Sequence, residues 1–199
     1  MRKLILEIQM SIDGFIARPN GDTNWMIWNW GLDWKWDKKL QDFHTNLNKS
    51  IDCILLSKQM AEEGFKMHWQ QVADDVNDSR YEFAKHITKA HKIVFSTTLK
   101  KSTPIPGGWE NTEIAEGNFV EYINQLKRQV GKDIIVYGGA TFVASLIKAG
   151  LIDEFYLIVN PTAIGNGLPI FNSLEERQDM KLMNAQPYEC VVLVLNYTL

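Results

Sequence analysis

The chain has only two cysteines, Cys53 and Cys190, and they lack CxxC spacing. That favours buried free thiols over a disulfide or a thiolate metal site. Both sit in apolar, strand-like runs, as buried free thiols do, which implies a reducing compartment. Long basic runs are missing and the formal net charge is −3, so there is no extended nucleic-acid or membrane-surface footprint. No stretch approaches the roughly 20 apolar residues of a membrane span. The N-terminal run "MRKLILEIQMSIDG" is broken by Glu7 and Gln9 and reads as a first strand, not a signal peptide. His44, His68, His86 and His91 show no metal-ligand spacing and are expected on surfaces or in caps. Internal repeats and low-complexity segments are absent. The expectation is a cytoplasmic protein with no metal, no nucleic-acid partner and no membrane partner.

What is present suits one globular domain over residues 1–199, with 45% hydrophobic and 23% charged residues. Leu4 to Met10 alternates as a strand, and "SIDGFIARPNGDTNW" is rich in turn chemistry, hence a long functional loop. Asp37 to Leu47 places Leu40, Phe43 and Leu47 on one helical face, "IDCILLS" is a buried strand, and "KQMAEEGF" is a short helix ending at Gly64. Tyr81 to Ala90 is helical and "HKIVFS" is a strand. Pro104 and Pro106 exclude helix from "TPIPGGWENTE". Phe119 to Val130 is a helix leading into "DIIVYGGATFVASLIKAGLIDEF", where a β-branched strand meets Gly138-Gly139 and the period changes to that of a helix. "IDEFYLIVNPTAIGNG" gives a strand and a glycine loop, and "MKLMNAQPYECVVLVLNYTL" a closing antiparallel hairpin. The alternation implies an α/β fold with a largely parallel mixed sheet, helices on both faces and an antiparallel C-terminal end.

In such sheets ligands lie beyond the carboxyl ends of the strands. Four segments arrive there: Ser11 to Trp25, Ser57-Lys58-Gln59-Met60, Ser96-Thr97-Thr98-Leu99 and Gly138-Gly139-Ala140-Thr141. Helix N-termini, hydroxyls and a lysine in one place suit a polyphosphate. A Ser or Thr after a strand is also an ordinary N-cap, and a bare double glycine an ordinary tight turn, so the signal is their joint placement.

On "SIDGFIA" with "GDTNW", "ILLSKQMAE", "KIVFSTTL" and "GGATFVASLIKAGLIDEFYLIVNPTAIGNGLPIF", the chain resembles the dihydrofolate-reductase-like family. More closely it resembles the RibD C-terminal type, including stand-alone bacterial members. The resemblance implies an NADPH-dependent oxidoreductase, with the pyrophosphate on the helices after Ser57 and Gly139 and the 2′-phosphate near Ser96 to Thr98. In dihydrofolate reductases the corresponding Gly-Gly bond is cis, so a cis Gly138-Gly139 is expected. Riboflavin-pathway reductases carry a glutamate where this chain has Tyr137 and a lysine where it has Glu7, and the H-x-E and P-C-x-x-C signature of their deaminase partner domain is absent here.

The resemblance implies hydride transfer to a small pteridine- or pyrimidine-type heterocycle, as in a 5-amino-6-(5-phosphoribosylamino)uracil reductase of riboflavin biosynthesis. The alternatives are a true dihydrofolate reductase and a nucleotide-binding protein without turnover. Asp37 is the candidate catalytic carboxylate, with Asp33 competing, although an Asp at a helix start is usually a cap. Trp25, Asp13 and Tyr137 are the candidate substrate contacts. The tryptophans between Trp25 and Trp36 suit a pocket wall, a core or a subunit interface. They and the apolar C-terminal strand, which needs cover either within its own sheet or against a second subunit, point to a homodimer.

Overall fold

The computed structural model describes residues 1–28, 34–63 and 65–199. In chain order the elements are β1 (Leu4–Ser11), α1 (Lys38–Lys49), β2 (Ile51–Ser57), α2 (Lys58–Glu62), α3 (Phe65–Asp74), α4 (Tyr81–Lys89) and β3 (His91–Phe95). There follow β4 (Thr112–Ile114), α5 (Phe119–Arg128), β5 (Asp133–Val136), α6 (Ala140–Lys148), β6 (Glu154–Asn160), β7 (Lys181–Pro187) and β8 (Leu193–Thr198). The fold is mixed α/β, its strands mostly parallel and its C-terminal hairpin antiparallel. It comprises two compact units, residues 1–3 with 43–139, and residues 4–42 with 140–199. Gly64 and Asp33, invoked above as a helix end and a competing carboxylate, lie outside the described residues, as does Trp30.

The first unit holds four parallel strands in the order β4-β3-β2-β5. Ile54, Leu55, Ile93, Val94, Ile134, Ile135 and Val136 are all buried, as expected of parallel strands covered on both faces. Two elements here escaped the sequence pattern. In α3 only Trp69 and Val72 of the described side chains are buried, too few for a clear helical stripe. β4 is three residues long. Trp69 meets Phe83 of α4 edge-on at 4.9 Å. His44 corrects the expectation for the histidines: it is 1% exposed and its ring lies 4.3 Å from that of Phe83, because a flat imidazole packs as well as an aromatic when its environment is apolar.

Lys92 is also buried. Its ammonium donates to the carbonyls of Thr88 (3.0 Å) and Ala90 (2.8 Å) at the end of α4 and lies 5.1 Å from the Trp109 ring centre. Burial pushes its pKa down to about 8, with Glu110 and Cys53 opposing. Just before Trp109, Gly107 takes φ 70° and a Cβ there would stand 2.0 Å from the carbonyl oxygen of Ala61 in α2. Trp109 Nε1 donates to that same oxygen at 3.3 Å. Helix α2 is therefore seated directly on the Pro106–Gly108 turn.

In the second unit the order is β1-β6-β8-β7, with β1 and β6 parallel and the last pairs antiparallel. The last strand of the chain is thus interior, flanked by β6 and β7, so it finds cover within its own sheet; the edge is β7. Its burial alternates with the pleat, Val194 and Asn196 buried on one face and Leu193, Leu195 and Tyr197 half-buried on the other. Loop 12–28 is tied down by a buried amide network. Gln9 Nε2 donates to Trp28 O (2.8 Å), Ile27 N to Asn160 Oδ1 (2.8 Å) and Asn160 Nδ2 to Gln9 Oε1 (3.2 Å). Trp28 stacks against Trp34 at 5.3 Å and Trp36 at 4.7 Å, and both Trp28 and Trp36 are buried within the chain itself. These two belong to the core. Cys53 is buried, whereas Cys190, in the β7–β8 turn, is only partly so, because a turn has one side open to water. Among the described residues no helix is long and apolar enough to cross a membrane.

Candidate functional site

Within the first unit, register brings the ends of β2, β3 and β5 to one level. Ser57 pairs with Phe95 and Leu55 with Val136, so Ser57, Ser96 and Gly138 emerge side by side at the carboxyl ends of adjacent strands β2, β3 and β5. Ser57 caps α2, its Oγ accepting from Met60 N at 3.3 Å. Lys58 opens that helix with its ammonium 3.7 Å from Glu62, a half-exposed pair worth little in stability and free to exchange partners. Gln59 donates to Glu63 Oε1 at 2.9 Å. Ser96 Oγ accepts from the amides of Thr98 (3.1 Å) and Leu99 (3.2 Å), forming a tight turn that leaves Thr97 and Thr98 exposed.

A Cβ on Gly138 would meet only Met60 Sδ, at 3.8 Å, so internal packing does not demand glycine there. Gly139 has φ 80°, which does favour glycine. Its peptide bond corrects the expectation of a cis linkage: among the described residues no peptide bond is cis, and the turn is made by Gly139's positive φ instead. Ala140 and Thr141 open α6. Thr141 is exposed, and its carbonyl accepts from Ser145 Oγ at 2.8 Å. Tyr137 is buried and donates its hydroxyl to Asn48 Oδ1, while Asn48 Nδ2 donates to His44 O at 2.8 Å.

The second unit holds the other candidates. Asp13 accepts from Ser11 Oγ (2.5 Å), Gly165 N (2.7 Å) and Ile164 N (3.1 Å). The Ser11 hydroxyl, with the Gly165 and Ile164 amides and against a smaller effect of burial, holds this carboxyl below the usual range. The same two loops meet again where Leu168 N donates to Ala17 O (2.8 Å) and Ile16 N to Leu168 O (3.0 Å). A Cβ on Gly167 would stand 2.3 Å from Ala17 O, which only glycine avoids. "SIDGFIA" and "AIGNGLPIF", read from sequence as separate motifs, therefore form one clasp. Nothing in their local patterns announces that pairing.

Asp37 sits at the start of α1. Its Oδ1 accepts from Leu40 N (3.1 Å) and its Oδ2 from Cys190 N (3.0 Å). Burial acts to raise its pKa, but these amides outweigh it and the carboxyl lies below its ordinary value. It is an ionised acceptor, and both oxygens are engaged. Trp25 is half-buried, and its indole Nε1 is shielded from solvent with no hydrogen-bond partner among the described residues. Sequence reasoning missed the Gln9–Asn160 amides that hold this loop, because two polar residues in otherwise apolar strands carry no visible link across 151 positions. Among the described residues no group of His, Cys, Asp and Glu is placed to hold a metal.

Known proteins are similar to this chain over nearly its whole length. The uncharacterised protein YyaP of Bacillus subtilis (strain 168) is 29% identical over 98% of this chain and 94% of its own. YwjB of the same organism is 26% identical over 94% and 92%. A crystal structure from Shewanella sp. PV-4 superposes with TM-score 0.67 at 21% identity, covering 100% of this chain and 98% of that one. The diaminohydroxyphosphoribosylaminopyrimidine deaminase/5-amino-6-(5-phosphoribosylamino)uracil reductase of Thermotoga maritima gives TM-score 0.66 at 16% identity, and this chain covers 56% of it. The family model for the RibD C-terminal domain matches residues 2–194, and the chain belongs to that family.

Proposed function

We propose that the protein is an NADPH-dependent reductase acting on a small pteridine- or pyrimidine-type heterocycle. The observation that carries this reading is the common level of Ser57, Ser96 and Gly138 at the carboxyl ends of three adjacent parallel strands. The residues present suit the cofactor. The first amides of α2 at Lys58 and Gln59, and the turn Gly138-Gly139, would take the pyrophosphate. The exposed hydroxyls of Thr97 and Thr98 beside Ser96 would take the 2′-phosphate. NADPH supplies the hydride when bound. Asp13 keeps loop 11–17 against loop 164–168, and Trp25 would serve as a wall for a flat ring. Tyr137, the third candidate, sets the strand end through Asn48. Asp37 is ionised and would orient the substrate as a hydrogen-bond acceptor, so the proton that accompanies the hydride comes from water. The relatives that combine a deaminase with such a reductase favour a uracil-type substrate. The protein would work as a cytoplasmic homodimer.

A second reading, nucleotide binding without turnover, is favoured by one observation: both oxygens of Asp37 are already occupied by backbone amides. Fluorescence titration with NADPH, followed by a screen of pteridines and aminopyrimidines for loss of reduced-nicotinamide absorbance, separates the two. Binding with turnover supports the reductase, binding with no turnover supports the second reading, and absence of binding removes both.

A further inference from the structure

We propose that the protein carries a second ligand site, for a small phosphate monoester, at the end of the first unit's parallel strands opposite Ser57, Ser96 and Gly138. It is independent of the reductase reading. Register sets Ile51 of β2 beside Asp133 of β5 and Cys53 beside His91 of β3, so the amino ends of three strands meet there. A cavity of about 390 Å³ opens among them, within the size range of small-molecule sites. All the residues that line it belong to the first unit.

Five basic side chains face this space, Arg2, His86, Lys89, His91 and Lys132, in a chain whose formal net charge is −3. One carboxylate lies among them. It is Asp52, which pairs with the Arg2 guanidinium and accepts from Lys132 N at 2.8 Å. Three permanent cations against that carboxylate leave two net positive charges before either histidine is protonated. His91 Nε2 also lies 3.7 Å from Glu113, in a half-exposed pair. Basic residues in the last turn of a helix ordinarily serve its terminal carbonyls, and His86 and Lys89 stand in the last turn of α4. Here those carbonyls have other donors: Ala90 N bonds to His86 O (3.0 Å), Asn111 Nδ2 to Lys89 O (3.1 Å), and Lys92 Nζ to Thr88 O and Ala90 O. The side chains of His86 and Lys89 are left to the cavity. His86 Nε2 is shielded from solvent and has no hydrogen-bond partner among the described residues, a place that a phosphoryl oxygen would fill. Burial, opposed by the Ile51 backbone, holds this imidazole below its ordinary pKa; Lys132 and Lys92 add to the shift and Asp52 opposes it. A bound dianion reverses that balance. Ile51, Cys53 and Ala90 add apolar surface to the same walls, which is why the ligand is an ester and not a bare ion.

The test is calorimetric titration of the full chain with glycerol 3-phosphate, with glycerol and inorganic phosphate as controls. Saturable binding of the ester at one site is expected, with none for glycerol and weaker binding of inorganic phosphate. Lys89→Glu, at an exposed position, and His86→Phe, each checked for native circular dichroism, are expected to weaken the ester roughly tenfold or more. Nuclear magnetic resonance should show the His86 ring titrating at higher pH when the ester is bound. The titration uses no NADPH, so its outcome stands whether or not that cofactor binds, and saturating NADPH should leave the ester's affinity unchanged. Absence of ester binding overturns the proposal. So does affinity that neither variant lowers, an unmoved His86 titration, competition by NADPH, or inorganic phosphate binding as tightly as the ester.

Discussion

Adding one methyl group at either of two consecutive glycines should have unequal consequences, and the difference measures how firmly helix α2 is held. Gly107 and Gly108 have nearly the same backbone, φ 70° and 64°. An alanine at either pays the left-handed penalty of about 1–2 kcal/mol, offset by up to about 1 kcal/mol from stiffening the unfolded chain. Beyond that they diverge. At Gly108 the new Cβ meets only the tip of Lys66, at 4.0 Å, a flexible group that can move. At Gly107 it stands 2.0 Å from Ala61 O, a backbone atom that also accepts from Trp109 Nε1. Either the turn or α2 must shift by about an ångström, an overpacking cost of roughly 1–3 kcal/mol or more. For a chain of this size each kcal/mol lowers Tm by about 2–4 °C. Thermal denaturation should therefore place Gly107→Ala roughly 2–12 °C below Gly108→Ala. Because α2 begins at Ser57, Gly107→Ala should also weaken NADPH binding while Gly108→Ala does not. Equal melting temperatures would refute the seating of α2 on this turn.

Other outcomes can be checked independently. Lys92, with a folded pKa near 8 against an ordinary 10.5, is penalised when charged. The penalty is complete below pH 8 and is lifted between about 8 and 10.5, so stability should rise with pH across that window by at most about 3 kcal/mol. Urea denaturation of Lys92→Met should show a flatter profile there, and an unchanged slope would remove the assignment. Gly139→Val should abolish NADPH binding without unfolding the β2–β5 core, as read by fluorescence titration alongside circular dichroism; retained affinity in a folded variant counts against the cofactor turn. NADPH should bind more tightly than NADH, and equal dissociation constants would discard the role of Thr97 and Thr98. Asp13→Ala should raise proteolytic cleavage in loops 11–17 and 164–168, since it releases two amides and a hydroxyl; unaltered cleavage would show the clasp held by backbone contacts alone.

Legibility from the sequence followed the range of the interaction. β2, β5 and α6 were read nearly to the residue because their signals are local: a β-branched run, then glycine, then apolar residues at helical spacing. Asp37 was recognised as a helix start, and the bland reading of it as a cap is the geometry observed. Cys190, its other amide partner, lies 153 positions away and left no trace. β4 was missed because three residues cannot show a period. The cover of the last strand stays open in the sequence because hairpin order within a sheet is decided by which strand β6 accepts, and β8 offers the longer apolar run.

The Asp13–Gly165 clasp and the pairing of β1 with β6 also constrain the order in which the chain can assemble. As the chain leaves the ribosome, β1 emerges first, yet its partners from Glu154 to Gly165 come some 150 residues later. The contiguous stretch 43–139, with β2, β3, β4 and β5, is complete well before that. The pairing of β1 with β6 must therefore wait until residues after Glu154 are made, while the stretch 43–139 is already complete. Pulse-labelled hydrogen exchange on the nascent or refolding chain should find amides of β2 and β5 protected before those of β1. β1 thus waits longer for its β6 edge than β2 waits for β3, and that edge is open to chaperone capture or misassociation in the meantime.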